Sequence, residues 1–435
     1  MTDVALDHAA SAELAGRELT RKEARELAVI ASRLDRRPRP TRDPQVQRAR
    51  LHEMIRALGC VQLDTISVIS RSHETVLWSR LGQYDPRVLN ALYADGGALT
   101  EYWAHAAAII PIETFPYYRG GMAEYVAKYE AEGSWAAENQ DLMAAIHQRF
   151  RDEGELASRH FDRHDDRRPE AWEWYGGKPA RQALQHLWSR GDLMIARRES
   201  GFQRVYDLAE RLIPEPHFSH EPTEAERARF FIHSALRALG VTNAAWAADY
   251  FRTWARPHIR PTESQQELKR LAGEGLAIPI TVEGIKGPLW MDAALAPRLL
   301  DLREGRGRPT LTTLLSPFDN LIWNRQRDEQ LFDIDLRIEF YTPAPKRVYG
   351  YYSLPILHKG DVVGRLDAVV DRRAHLLTVR NVHLEPRTRP SAALATAVAG
   401  TLWDLATFLQ AEEVLVLSSE PPEFAELLST ALTQD

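Results

Sequence analysis

The sequence predicts an α+β fold built from repeated units, each a set of helices followed by a β-hairpin, with a strand-rich segment at the C-terminal end. Three observations carry this. Helix-then-hairpin patterning occurs over about 17–150, 151–220 and 221–307. From about 308 to 435 the texture changes to alternating strands. With 435 residues, 44% hydrophobic and 27% charged, the chain is long and apolar enough for several packed domains. No residue-level repeat accompanies the recurrence, so the repetition is architectural.

Taken in order, residues 1–16 read as an acidic, mobile tail. "LTRKEARELAVIASRL" has Thr20 and Glu23 at capping-box spacing and an apolar stripe through Ala24, Leu27, Ala28 and Leu34. "DRRPRPTRDP" breaks that helix. A second helix spans about 44–58, and Gly59 is placed to end it. "CVQLDTISVI" is rich in β-branched residues and reads as a short strand entering a loop. "PRVLNALYADGG" is a further helix with a glycine stop. This order fits a helix-turn-helix variant with a wing. Residues 135–150 form a connecting helix. In the second unit the helix "KPARQALQHLWSRG" stops at Gly191, and a hairpin turns at Glu199-Ser200-Gly201. In the third, three helices precede the hairpin "LAIPITVEGIKGPLWM". The last segment has turns at Lys359-Gly360-Asp361 and 371–374, and reads as a small antiparallel sheet or barrel with "PSAALATAVAGTLWDLATFL" as a packed helix.

Composition excludes several classes. A lone cysteine, Cys60, rules out an intramolecular disulfide framework and a cysteine metal site. "HFDRHDDR" at 160–167 reads as a charged loop rather than a metal site, so no metal is expected. No glycine-rich phosphate cradle and no nucleophile elbow is present. No stretch reads as a membrane span, and the acidic N-terminus does not follow signal-peptide order, so a cytoplasmic location is expected. Net charge is −6, yet residues 17–56 carry twelve Lys/Arg against six Asp/Glu. Such a patch suits a local polyanion contact as well as a solvated helical face; Arg36 and Arg37 are the first candidates for the contact.

Candidate functional residues cluster at 60–80, "CVQLDTISVISRSHETVLWSR". In an extended segment Gln62 and Asp64 share one side, with Val61 and Leu63 turned inward. An amide and a carboxylate so placed can hold a water. Arg71 follows as a candidate DNA contact. "EYWAHAAAIIPIETFPYYRGG" is aromatic-dense; it is either core or the wall of a pocket beside Gln62, lined by Tyr102, Trp103 and His105. Arg197 and Arg198 lie on the second hairpin, as solvated strand charge or as phosphate contacts. "LLSPFDNLIWNRQRDEQLF" places Asn320, Trp323 and Arg325 in a loop-like setting, suited to nucleic-acid contact or to linking domains.

"VQLDTISVISRSHETVLWSRL", "EYWAHAA", "GDLMIARRESGFQRVYDL", "LLSPFDNLIWNR" and "YGYYSLPIL…GDVVGRLDAVVDR", in this order over about 19–418, resemble the YcaQ/AlkZ family of bacterial winged-helix DNA glycosylases. The resemblance implies three tandem winged helices and a C-terminal β-barrel around a concave DNA channel. It implies excision of N7-alkylated purines and unhooking of interstrand crosslinks. The Gln-Leu-Asp motif resembles that of the YcaQ-like (AlkX) branch, which makes Gln62 and Asp64 the catalytic pair and the 318–325 loop a DNA contact. The partner implied is double-stranded DNA carrying such lesions, bound by a monomer in the bacterial nucleoid, with no cofactor. The chemistry agrees with the residues. A cationic N7-alkylguanine leaves without a general acid, so one carboxylate to stabilise an oxocarbenium-like sugar and one amide to fix water suffice. The competing expectation is a non-catalytic winged-helix DNA-binding regulator.

Overall fold

The computed structural model describes residues 14, 16–94, 97–161, 179–253 and 256–433. The tail expected over 1–16, apart from Leu14 and Gly16, and most of the 160–167 segment lie outside them.

Three helix-and-hairpin units share one construction. A helix ends at a glycine with positive φ (Gly59, Gly154 and Gly240, at 74°, 82° and 71°), and a two-residue strand follows. That strand pairs with the second strand of the unit's own hairpin. In the first unit, helix Pro44–Leu58 starts at Asp43, whose carboxylate accepts the Gln45 and Val46 N–H groups, with Pro44 at the tolerated first position. Strand Val61–Gln62, helices Ser72–Leu81 and Pro86–Ala94, and hairpin Leu99–Trp103/Ala107–Pro111 complete it. The second unit runs from helix Gln140–Glu153 through strand Leu156–Ala157 and helix Pro179–Arg190 to hairpin Leu193–Glu199/Gln203–Leu208. The third has helices Glu224–Leu239, Ala244–Tyr250 and Pro261–Gly273, and hairpin Ala277–Val282/Ile285–Asp292.

The N-terminal segment joins the third unit. Strand Glu18–Leu19 pairs in parallel with Thr281 and Val282 of the third hairpin. Helix Arg21–Ala31, closed by the Thr20/Glu23 capping box, packs on helix Glu224–Leu239. Only glycine fits where they meet, because a Cβ on Gly240 would lie 2.7 Å from Ala31 Cβ and 2.9 Å from the Leu27 carbonyl. Two hydrophobic cores result. One joins the N-terminal helix to the second and third units. The other joins the first unit to the C-terminal sheet, with Trp78, Leu77 and Val76 packed among Tyr352, Leu354 and Ile356.

The C-terminal sheet corrects the expectation of a closed β-barrel. Its strands run in the order Thr312–Leu314, Ser353–His358, Asp361–Asp371, Leu376–Leu384 and Glu413–Val416, with Ser419–Glu420 also beside Leu376–Leu384. The first three pairings are antiparallel and the last is parallel. Among the described residues no pairing joins the first strand to the last, so the sheet is an open half-barrel. A parallel neighbour needs a crossover, here helix Ala392–Leu409. That helix packs against both edge strands of the sheet, and its Thr401 hydroxyl donates to the Thr312 carbonyl of the first strand, 3.1 Å away. By length and composition this helix could cross a membrane; here Leu394, Val398, Leu402 and Leu405 are buried in the second core.

One buried ion pair ties these parts together. Arg80 and Asp319 are both fully buried, and two guanidinium N–H groups reach the two carboxylate oxygens at 2.7 and 2.8 Å. Arg80 also donates to the Ser32 carbonyl at 2.8 Å and the Val76 carbonyl at 3.0 Å. Removing one partner strands a charge away from water, which costs about 3–5 kcal/mol. Arg80→Met is therefore expected to lower stability by about that amount, read from the urea-unfolding midpoint. Arg80→Met combined with Asp319→Leu should recover part of the loss, since neither charge remains. A double variant less stable than the single one would refute this account.

Candidate functional site

Val61 and Leu63 are buried in the second core, so the alternation along this short strand turns Gln62 the other way. Gln62 lines a cavity of about 200 Å³ between the first unit and the C-terminal sheet. Its amide makes no hydrogen bond with a described residue. The other walls are His105 from the first hairpin, Phe318, Ile322, Trp323 and Arg325 from the loop before the sheet, and Leu336, Arg337, Ile338, Ser353 and Arg365. Among the described residues the lining contains no carboxylic acid.

The hairpin places His105. The chain reverses at Ala104-His105-Ala106, and Ala106 adopts φ 52°. His105 stacks on Trp323 with ring centroids 3.9 Å apart and planes 4° from parallel. Its Nδ1 lies 3.2 Å from the Tyr250 carbonyl. Burial holds its imidazole below the ordinary value, so it is neutral at pH 7.

Asp64 lies outside the cavity lining. Its Oδ1 accepts the Ile66 N–H at 2.7 Å. Burial raises its pKa, opposed by the Ile66 and Thr65 N–H groups. Its charge reaches Tyr352, a buried phenol pushed up to about 12 chiefly by burial. The Tyr352 and Ser72 hydroxyls both meet the buried Ser316 hydroxyl, at 3.2 and 3.0 Å.

The loop residues divide. Asp319 caps the short 3-10 helix Asn320–Ile322 through the Leu321 N–H. Asn320 is 3% exposed and donates to the Cys60 carbonyl at 2.9 Å and the Tyr250 hydroxyl at 2.8 Å. Tyr250 in turn donates to the Leu58 carbonyl at 2.8 Å. Asn320 thus ties the first and third units to this loop. Trp323 donates to the Phe318 carbonyl at 2.7 Å and offers its ring to His105. Arg325, at the start of helix Arg325–Phe332, is exposed at the cavity and makes no hydrogen bond or ion pair with a described residue.

Tyr102 and Trp103 face the second unit. The Tyr102 hydroxyl donates to the Ser189 carbonyl at 2.5 Å, and Trp103 packs on Trp188. Arg198 forks onto the buried Glu101 at 2.6 and 2.8 Å, whereas Arg197 pairs with Glu155 and Glu199 at the surface. Arg71 and Arg198 each lie 3.9 Å from the ring centre of Phe202, which His73 also stacks against. Phe202 sits at the tip of the second wing with φ 64°, so that wing is docked on the first unit. Burial drives His73 down to about 3, helped by Arg198 and Arg71.

On the basic 17–56 stretch, Arg37 is internal. It pairs with Asp404, donates to Thr313, and lies over Trp78. Arg33, Arg39 and Arg42 are exposed, and their guanidinium groups have no partner among the described residues. The sequence reading marked the 318–325 loop, which supplies Phe318 and Ile322, but missed Arg337, Ser353 and Arg365 as cavity residues. Nothing local signals them, because the sheet brings them to Gln62 from far along the chain.

A sequence model of the family described as "DNA glycosylase AlkZ-like" matches residues 55–408. Among solved structures, the fold is similar to that of Streptomyces sahachiroi DNA glycosylase AlkZ. The TM-score is 0.60 at 18% identity, covering 92% of this chain and 99% of that one. The matched span takes in Gln62, Asp64, His105 and the whole cavity wall, and by it this chain belongs to the AlkZ-like DNA glycosylase family.

Proposed function

We propose that the protein is a monofunctional DNA glycosylase of the Gln-apolar-Asp branch. It hydrolyses the N-glycosidic bond of N7-alkylated purines in duplex DNA and unhooks crosslinks joined through such purines. The observation that carries this is the lining of the Gln62 cavity, which among the described residues holds no carboxylic acid and only a neutral histidine. No group there can protonate a leaving base at neutral pH. A cationic N7-alkylpurine needs none, because it departs as a neutral base. Gln62 positions the attacking water, and the Asp64 carboxylate opposes the positive charge that develops on the sugar. Bulky crosslinked purines stay in the duplex, so the site must act from outside the stack rather than on a fully extruded base.

A second reading, a DNA-binding protein without chemistry, is favoured by Asp64 itself, which stands outside the cavity lining with one oxygen engaged by the Ile66 N–H. Release of N7-methylguanine from alkylated duplex under single-turnover conditions decides between them.

The sign of the Asp64 shift gives a linked expectation. Its folded pKa is raised, so its contribution to stability is fully present below the unfolded value near 3.9 and is lost as pH rises through the folded value. At pH 7 the charge therefore destabilises the fold. Asp64→Asn should raise Tm while lowering excision about 10²–10³-fold, with duplex affinity unchanged. A lowered Tm, or excision at the wild-type rate, would contradict the assignment.

The pH profile should follow the same groups. Excision should fall as acid protonates Asp64 and should not fall on raising pH through about 6.5, the ordinary histidine value, because His73 and His105 are already neutral. Uracil, an uncharged base, should not be released. Loss of activity above pH 6.5, or efficient uracil release, would show an acid that this site lacks.

Binding should depend on local basic residues. Arg39→Ala with Arg42→Ala should reduce the slope of log K against log[salt] by about 1.8, at about 0.9 per phosphate contact. An unchanged slope would make this stretch a solvated face.

A further inference from the structure

This inference rests on the glycosylase reading and concerns the same cavity. The hydrogen bonding of His105 fixes its tautomer. Nδ1 faces the Tyr250 carbonyl at 3.2 Å, and a carbonyl can only accept, so Nδ1 carries the ring proton. Nε2 is left with its lone pair. The Asp249 backbone also bears on the ring, no side chain among the described residues hydrogen-bonds Nε2, and the ring lines the same cavity as Gln62. The Trp323 stack at 3.9 Å and 4° fixes the ring plane, and a bridge between the backbones of His105 and Arg252 fixes its base. The cavity therefore presents an amide, which both donates and accepts, beside an acceptor that cannot donate.

We infer that His105 is a catalytic residue, its Nε2 accepting a hydrogen bond from the nucleophilic water that the Gln62 amide also holds. On a guanine the N1–H and one amino proton stay paired in a duplex from which a crosslinked base cannot leave, and the second amino proton points into the minor groove. Water held by the Gln62 amide is a donor this acceptor can take.

The step balances without a further reactant. As the C1′–N9 bond breaks, its electron pair passes to the cationic purine, which leaves neutral. The water oxygen bonds C1′, and its proton passes through Nε2 to solvent. A weak base is sufficient, because water bound to an oxocarbenium-like carbon becomes strongly acidic before its proton must leave. Asp64 keeps its separate electrostatic role, consistent with its place outside the lining.

Three variants separate the acceptor from the stack and from the Tyr250 contact. Phe keeps an aromatic ring over Trp323 but has no acceptor. Asn reproduces the Nδ1–H. Gln places an oxygen near the position of Nε2. On duplex carrying N7-methylguanine, His105→Phe and His105→Asn should lower the single-turnover rate about 10²-fold, the lower end for proton-handling groups, with duplex affinity unchanged. His105→Gln should retain at least about tenfold more activity than either. Wild-type rates for Phe, or Phe equal to or faster than Gln, would overturn the assignment and leave the ring as a stacking element. Melting curves for all three identify a variant that fails to fold: if that is Phe or Asn, the other is still ordered against Gln, and if it is Gln, folded Phe and Asn variants slowed about 10²-fold support the assignment while wild-type rates overturn it. A wild-type enzyme that releases no N7-methylguanine would sink the glycosylase reading itself, whereas an active wild type with insensitive variants sinks only this inference.

Discussion

The buried Arg80–Asp319 pair is the constraint from which the site hangs. Two charges without water are tolerable only if every polar edge is engaged, and here the guanidinium spends its remaining N–H groups on carbonyls of two different helices. Asp319 is then held where its carboxylate can also cap the short helix that follows. That helix delivers Asn320 between Cys60 and Tyr250, and delivers Trp323 onto His105. The first unit, the third unit and the C-terminal sheet thus meet at one loop. The cavity beside Gln62 is a by-product of that junction, since its walls come from elements that meet at this loop.

This explains why much of the polar chemistry noticed in the sequence is internal. Arg37, Arg198 and Asn320 are the residues a nucleic-acid surface would use, and all three are engaged within the fold. A multi-unit protein with many interfaces needs directional polar contacts to fix how its units sit, and planar arginine forks serve that purpose well. Sequence alone cannot tell an arginine that fixes an interface from one that meets a phosphate. The distinction lies in which carboxylate or ring happens to be opposite, as with Glu101 and Phe202 for Arg198.

The units themselves were legible because glycines punctuate them. Helix Pro44–Leu58 with Gly59, helix Pro179–Arg190 with Gly191, and the hairpin turning at Ser200-Gly201 follow directly from local chemistry. The hairpin Leu99–Trp103/Ala107–Pro111 was not legible, because it turns through Ala104-His105-Ala106 with no glycine or asparagine to mark it. Helix Ser72–Leu81 was hidden for the opposite reason. Almost all of it is buried, polar residues included, so it has no amphipathic stripe. Strand alternation after 350 predicted the sheet but not its closure, which depends on what fills the interior. At the site, the sequence left the aromatic segment as either core or pocket wall; of Tyr102, Trp103 and His105 only His105 lines the cavity with Gln62, and the opposite wall is a product of tertiary structure.

Among the described residues strand Glu413–Val416 has one unpaired edge, and Leu415 within it and Leu417 just after it are 46% and 59% exposed. A free edge bearing exposed leucines is a template for another copy of the same strand. Glu412 and Glu413 are exposed where it begins, and Glu420 is exposed just beyond it. Like charges brought face to face would oppose such pairing. Glu412 and Glu413 therefore act on colloidal behaviour: losing them would change how the protein tolerates crowding and high expression, while leaving its site as it is.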